Sequence, residues 1–288
     1  MKILVTGATG FIGRHVITEL LKYDHQVIAT TTRADVDVSA NKNGLNYLFI
    51  DLNDLNLTED YFSKCGNPDM LIHLAWQGLP NYKSLFHFEN NLISHYSFLK
   101  NMVSNGLQKL VVTGTCFEYG MKEGCLSEDM VTDPQNPYAL AKDTLRKFLF
   151  ELRKKIEFNC TWIRLFYMYG EGQNPNALLS QLETALQKGD KVFNMSGGEQ
   201  QRDYLPIAKT AAYIVKIAQS DTSGIINCCS GIPITVRQLV ENYLKNTNRH
   251  IELNMGFYPY TDYEAMSFWG DDTKLKNILI NERSSTGI

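Results

Sequence analysis

Two short segments carry residues whose types and spacing can do chemistry. The first, Tyr138-Ala139-Leu140-Ala141-Lys142, puts a phenol and an amine four residues apart, on one face of a helix. A free tyrosine titrates near pH ~10, so it serves as acid or base only where its phenolate is stabilised. A neighbouring ammonium supplies that by Coulomb attraction, which makes Tyr138 and Lys142 a candidate proton-transfer pair. The preceding Pro137 suits the first turn of such a helix. The second segment, Thr6-Gly7-Ala8-Thr9-Gly10-Phe11-Ile12-Gly13, follows an apolar run and opens an amphipathic stretch. Glycines spaced three and three let a backbone turn tightly and approach a pyrophosphate at a helix N-terminus. Gly7, Thr9, Gly10, Phe11, Ile12 and Gly13 are therefore candidate dinucleotide contacts; the same turn can also join a strand to a helix and bind nothing.

The residues after the second apolar run bear on which dinucleotide would bind. A carboxylate there accepts from the adenosine ribose and repels a 2′-phosphate. This chain reads Thr30-Thr31-Thr32-Arg33, with no carboxylate before Asp35. Hydroxyls and a guanidinium suit a 2′-phosphate, so NADP(H) is the preferred cofactor. NAD(H) stays open, since Asp35 could turn back to a ribose and Arg33 could be a solvated loop charge.

Positioning these groups needs a layered scaffold, and the chain alternates short β-branched runs with longer helical stretches. Strands are expected at 2–6, 26–31, 47–50, 70–74, 109–113 and 161–165. Helices are expected at about 11–22, 58–64, 85–104, 137–156 and 175–188. Alternation of this kind builds a parallel sheet covered on both faces, the α/β class. After about residue 170 the rhythm loosens into glycine-rich loops, with helices near 206–219, 235–246 and 272–280. The expected division is 1–170 for the dinucleotide and 171–288 mainly for substrate, with 206–228 returning to the first unit.

Composition narrows the class. The chain has 288 residues, 44% hydrophobic and 20% charged, and Lys+Arg 28 against Asp+Glu 31 gives a net charge of −3. Without a basic cluster, nucleic acid is not the expected partner. No apolar run reaches the ~18 residues that span a bilayer, and the N-terminus shows no secretory leader; the expected location is cytoplasmic. The six cysteines form no C-x-x-C pair and read as reduced thiols. His15 and His73 have no partners at metal-ligand spacing, so no metal is expected.

Taken in order, the motifs resemble the extended short-chain dehydrogenase/reductase family of nucleotide-sugar epimerases, dehydratases and reductases. The glycine turn, Asp51-Leu52, His73-Leu74-Ala75, Asn91, Thr115 five residues before Gly120, Tyr138/Lys142, Arg164 with Tyr169-Gly170, and Arg202-Asp203-Tyr204 carry the resemblance over nearly the whole length. It implies a Rossmann-type doubly wound parallel sheet with a smaller C-terminal α/β substrate lobe. It also implies that Thr115 binds the substrate oxygen undergoing redox, that Tyr138 exchanges its proton, and that Lys142 tunes Tyr138. Asp51 and Leu52 would contact adenine, Leu74, Ala75 and Trp76 would line the cofactor, and Asn91 would support the site. Arg202 would neutralise a substrate diphosphate, for which a guanidinium is the right residue type. Asn176 lies in a segment that could reach the sugar. Many relatives pair through two long helices, here 85–104 and 137–156, so a homodimer is expected.

Departures from the family narrow the reaction. In 4,6-dehydratase members an acid follows the catalytic Thr within two residues; here those positions are Cys116 and Phe117. Glu118 comes one residue later, on the opposite face of an extended segment. Trp76 stands where many epimerases carry a small residue, and Pro206 and Ala208 replace a common His and Asp. The expected function is reduction by NADPH of a nucleoside-diphosphate 4-keto-6-deoxyhexose, giving a 6-deoxytalose or fucose type of sugar for surface polysaccharide. The alternatives are a nucleotide-sugar 4-epimerase with tightly held NAD and a non-catalytic NAD(P) sensor.

Overall fold

The structure is a computed structural model that describes residues 1–36 and 44–285, with side chains through residue 280. Residues 37–43 and 286–288, the last of which end the expected second lobe, lie outside the described residues. In chain order the elements are β1 (Lys2–Thr6), α1 (Phe11–Leu20), β2 (Gln26–Thr31), β3 (Leu45–Phe49), α2 (Tyr61–Lys64), β4 (Met70–His73), α3 (Leu92–Ser104), β5 (Lys109–Thr115), β6 (Gly124–Leu126), α4 (Pro137–Leu152) and β7 (Asn159–Leu165). They continue with β8 (Tyr167–Tyr169), α5 (Leu178–Lys188), β9 (Val192–Asn194), β10 (Gln201–Pro206), α6 (Ile207–Gln219), β11 (Gly224–Cys228), β12 (Pro233–Thr235), α7 (Val236–Thr247), β13 (Glu252–Asn254), β14 (Phe268–Gly270) and α8 (Thr273–Ser285).

Seven strands form one parallel sheet in the order β3-β2-β1-β4-β5-β7-β11. Alternation along each strand sends side chains to both faces, and both are apolar. Ile3, Val5, Met70, Ile72 and Val111 join α1, α6 and α8 in one core. Leu4, Leu71, Leu110, Val112 and Trp162 join α3 and α4 in the other. This is the doubly wound α/β fold, and its strand order reverses between β1 and β4, where such sheets open a crevice at their C-terminal ends. Segment 206–228 lies with this sheet: α6 packs on α1, and β11 pairs with β7 from Gly224 to Cys228.

A separate core of Leu179, Leu182, Phe193, Met195, Leu239, Val240, Leu244 and Ile251 holds α5, α7, β9 and β13 together. Short pairings join the two parts. β10 runs parallel to β8 and antiparallel to β12, while β14 runs parallel to β6.

Several boundaries differ from the sequence reading. β5 continues two residues past Thr113, so Thr115 is its last residue and faces the crevice mouth. The expected helix at 85–104 begins instead with a π-helical turn over His87–Asn91 before α3. Gly106, with φ of 125°, turns the chain out of α3 ahead of β5.

Candidate active site

A cleft of about 760 Å³ opens at the point where the strand order reverses. Its floor is the glycine turn. Gly7 has a φ of 68°, and a Cβ there would stand 2.7 Å from the Ala75 amide nitrogen, so only glycine lets β1 and the end of β4 meet this closely. A Cβ on Gly13 would lie 2.1 Å from the Gly7 carbonyl oxygen, which makes its absence the condition for closing α1 onto the turn. Gly7, Thr9, Gly10, Phe11, Ile12 and Gly13 all line the cleft, and no side chain caps the first amides of α1. A loop from the second part lies over this turn: Arg14 Nη2 donates to the Gly172 carbonyl at 2.9 Å, and His15 Nε2 is 3.1 Å from the Glu171 carbonyl.

The proton-transfer pair sits further along the cleft. Asn136 Oδ1 accepts from the Ala139 amide at 2.9 Å and Pro137 occupies the first turn, so Tyr138 projects from the very start of α4. Tyr138, Lys142 and Thr115 all line the cleft. Thr115 ends β5 with its hydroxyl accepting from the Phe117 amide at 3.3 Å. Lys142 is 2% exposed; its Nζ donates to the Thr113 carbonyl at 2.8 Å and lies 4.2 Å from the centre of the Trp76 ring.

The electrostatics depart from the sequence expectation. Burial raises the Tyr138 pKa far above its ordinary value; Tyr82 and Glu118 add to the rise, and the nearby Thr115 side chain opposes it. Burial likewise lowers Lys142 to about 7, against which the Glu118 charge acts weakly. Lys142 Nζ is turned to the Thr113 carbonyl, and no hydrogen bond joins it to the phenol among the described residues. Tyr138 is accordingly a neutral phenol at neutral pH.

Glu118 also differs from expectation, in reason more than in place. Residues Cys116–Tyr119 form a 3₁₀ turn, not an extended segment, and Thr115 with Glu118 makes a capping box at its start. Glu118 is fully buried and accepts from the Thr115 amide, Trp162 Nε1 and Arg164 Nε at 2.9, 2.9 and 2.8 Å.

The lining also holds Leu52, Leu74, Ala75, Trp76 and Asn176, together with Thr30, Thr31 and Thr32. Four expected contacts lie outside it. Arg33 forks onto Asp35 with bonds of 2.9 and 2.5 Å, both side chains being solvent-exposed. Asp51 Oδ1 accepts from the Asn53 amide at 2.9 Å within its own turn, and Leu52 is the residue of this pair that lines the cleft. Asn91 is fully buried behind the wall, donating to the Gln77 carbonyl at 2.9 Å. Arg202 is taken up by Glu264 at 3.0 Å and by the Gln201 and Met266 carbonyls at 2.9 and 3.1 Å.

Sequence reasoning did not single out His95, Gln77, Gln173 and Asn174, which also line the cleft. His95 did leave a signal: it lies on the apolar stripe of α3 with Phe98, Leu99 and Met102, where a histidine needs a partner. The partner is His73, whose Nε2 lies 2.7 Å from His95 Nδ1 and whose Nδ1 lies 2.8 Å from Thr6 Oγ1.

The family model described as the NAD dependent epimerase/dehydratase family matches residues 3–229, well over half the chain. The chain belongs to this family. A relative from Aggregatibacter actinomycetemcomitans, dTDP-6-deoxy-L-talose 4-dehydrogenase (NAD(+)), is 32% identical over 271 residues, which cover 94% of this chain and 99% of the relative. GDP-6-deoxy-D-talose 4-dehydrogenase from the same organism is 28% identical over 298 residues, covering 100% of this chain and 94% of the relative. The solved structure of MoeE5 in complex with UDP-glucuronic acid and NAD superposes with a TM-score of 0.80 at 26% identity, covering 97% of this chain and 92% of that one. The epimerase/dehydratase-family chain is thus an enzyme with oxidoreductases and epimerases among its relatives. The residues present fit the NAD that the family name implies, because the glycine turn leaves the space a Cβ would fill and presents uncapped amides there.

Proposed function

We propose that this enzyme interconverts the C4 ketone and alcohol of a nucleoside-diphosphate 6-deoxyhexose, working as a 4-keto reductase in surface-polysaccharide synthesis. The observation that carries this reading is the convergence of Thr115, Tyr138 and Lys142 on the cleft that begins at the glycine turn, with Cys116 and Phe117 beside Thr115. Neither of those two side chains has the carboxylate that would remove a proton for dehydration. Lys142 is the one charged side chain among the described lining residues. Phe117, Tyr82, Phe166 and Tyr167 form an aromatic wall, which suits a sugar with a methyl at C6 better than a uronate needing a cation.

When bound, the nicotinamide supplies the hydride to C4 or takes it back. The protein's own work is positional and protic. Thr115 holds the oxygen at C4 by hydrogen bonding, and Tyr138, kept neutral by burial, donates its proton as that oxygen gains charge. The Lys142 ammonium, in the same buried site, favours the phenolate left behind. The second part of the chain supplies substrate contacts such as Asn176. Arg202 reaches a diphosphate only after release from Glu264.

The test is the absorbance of reduced dinucleotide at 340 nm with purified enzyme and nucleoside-diphosphate 4-keto-6-deoxyhexoses. Stoichiometric consumption with appearance of the 6-deoxyhexose is expected. Appearance of a sugar epimer at constant absorbance would replace this reading with the 4-epimerase one, which the family also contains.

The proposal includes a preference for NADP(H). Thr30, Thr31 and Thr32 line the adenosine end of the cleft without a carboxylate among them, and the Arg33–Asp35 pair is exposed, so water screens it and it opens readily. Arg33→Ala is expected to weaken NADP⁺ binding about tenfold or more while leaving NAD⁺ binding unchanged. Equal dissociation constants for the two dinucleotides in the unmutated enzyme would remove the preference.

The pairing of two copies through α3 and α4 is also proposed. Ile93, Leu140 and Phe148 are exposed on these two packed helices, and Tyr96 meets Phe148 edge-on at 5.2 Å. Sedimentation at micromolar concentration is expected to give the mass of a dimer; monomer alone would refute it. A cytoplasmic location is also proposed, on the resemblance to nucleotide-sugar enzymes; separately, no helix among the described residues is long and apolar enough to cross a membrane.

A further inference from the structure

The surroundings of Lys142 raise a problem of charge. The side chain is buried and no carboxylate forms an ion pair with it among the described residues. Among the described residues its one hydrogen bond goes to the Thr113 carbonyl at 2.8 Å. What lies over the ammonium is aromatic: the Trp76 ring centre at 4.2 Å and the Trp162 ring centre at 6.0 Å. An indole face attracts an ammonium through its quadrupole, most strongly where water is kept away.

The Trp76 ring is held in place from several sides. Its Nε1 donates to His87 Nδ1 at 3.1 Å, and His87 Nε2 lies 2.8 Å from the Asn81 carbonyl, which fits the tautomer that leaves Nδ1 free to accept. The His95 ring packs at 4.7 Å, and the Tyr138 ring meets Trp76 edge-on at 6.1 Å. His95 is fixed in turn by His73. These contacts set the plane of the ring with its face toward Lys142.

We propose that Trp76 is a positioning residue whose indole face keeps Lys142 charged and seated on the Thr113 carbonyl, and so sets the pH range over which Tyr138 can act. The inference rests on the proposed roles of Tyr138 and Lys142. The other titratable and charged groups around the amine are accounted for. His73 and His95, from β4 and α3, are held neutral by burial, with Lys142 itself opposing their protonation, and His87 is lowered by burial too. From the 3₁₀ turn, Glu118 favours the ammonium but is engaged by Arg164 and lies 3.8 Å from Arg146; Cys116 is raised by burial and stays a thiol. Tyr138 on α4 and Tyr82 across from it are neutral phenols, both raised by burial. Apart from the Thr113 carbonyl on which the amine is seated, the Trp76 face is thus the nearest group that favours charge on Lys142 without being neutralised by another partner.

The test separates the ring's face from its volume. Trp76→Phe keeps an aromatic face, whereas Trp76→Leu keeps apolar bulk without one. In protein labelled with ¹³Cε-lysine, with the Lys142 signal assigned by its loss in Lys142→Met, the titration midpoint of Lys142 is followed by NMR without dinucleotide or sugar. Trp76→Phe is expected to leave the midpoint within about 0.3 unit, and Trp76→Leu to lower it by about one unit. The pH at which kcat for reduction falls should move the same way. An unchanged or raised midpoint in Trp76→Leu, or equal shifts in both variants, would overturn the proposal. If the leucine variant does not fold, fluorinated tryptophans placed at position 76 weaken the face at nearly constant volume. The midpoint should then fall with each added fluorine, and a flat series would refute the idea. Because the titration needs neither substrate nor turnover, its outcome is independent of whether any 4-keto sugar is reduced.

Discussion

Tyr138→Phe is expected to lower kcat by about a thousandfold while leaving dinucleotide affinity within about threefold, because a positioned acid typically contributes 10²–10⁴-fold and the phenol is far from the phosphate turn. The change removes one oxygen from a ring that packs against Tyr82 at 5.5 Å, His87 at 5.4 Å and Trp76 at 6.1 Å, so the aromatic contacts persist. The lost group is the proposed proton donor to the developing alkoxide. Stopped-flow binding of reduced dinucleotide followed by single-turnover reduction separates the two effects. A variant that binds normally and turns over within tenfold of the parent would remove Tyr138 from the reaction and return the protein to the sensor reading.

The geometry of this tyrosine was only partly legible in the sequence. The strands at 2–6 and 26–31 were read with the bounds observed, because buried parallel strands are continuous apolar runs with sharp ends. The glycine turn was legible because its constraint is local: each glycine answers to a neighbour within a few residues or to the adjoining strand. The Tyr138–Lys142 spacing correctly placed both groups on one face of α4, and both reach the cleft. Spacing could not show that Lys142 bends toward the Thr113 carbonyl, since that carbonyl belongs to a strand 29 residues earlier.

Two of the illegible features share a cause, which is distance along the chain between partners. Arg202 and Glu264 are 62 residues apart, and nothing near either residue announces the other. The three-residue strands β6 and β14 exist through each other, with 144 residues between paired Gly124 and Phe268. They are too short to leave a periodic pattern. Glu118 was misjudged because an extended backbone was assumed, whereas Thr115 at the strand end and Glu118 three residues later are the signature of a capping box. That signature was present in the sequence and points to the residue on which the catalytic strand's end depends.

Glu118→Ala is expected to destabilise the protein by about 3–5 kcal/mol, the usual cost of stranding one half of a buried ion pair. Its carboxylate is enclosed by donors: the Thr115 amide, the Trp162 indole and the Arg164 guanidinium. Removal leaves Arg164, 1% exposed, with a 3.4 Å bond to the Glu128 carbonyl and the Tyr119 ring 4.4 Å away as its remaining company. Against a total stability of about 5–15 kcal/mol this is a large fraction, and melting should fall by about 10 °C. Because the same carboxylate caps the turn that follows Thr115, the folded fraction should also lose turnover when compared at equal dinucleotide binding. The double variant Glu118→Ala with Arg164→Met distinguishes stranded charge from simple loss of packing. With the guanidinium gone, the pair of changes should cost less than the sum of the two single ones, by about 2 kcal/mol or more. A melting point for Glu118→Ala within about 2 °C of the parent would mean that water reaches Arg164 and solvates it, and the buried network would then not be what holds Thr115 at the end of β5.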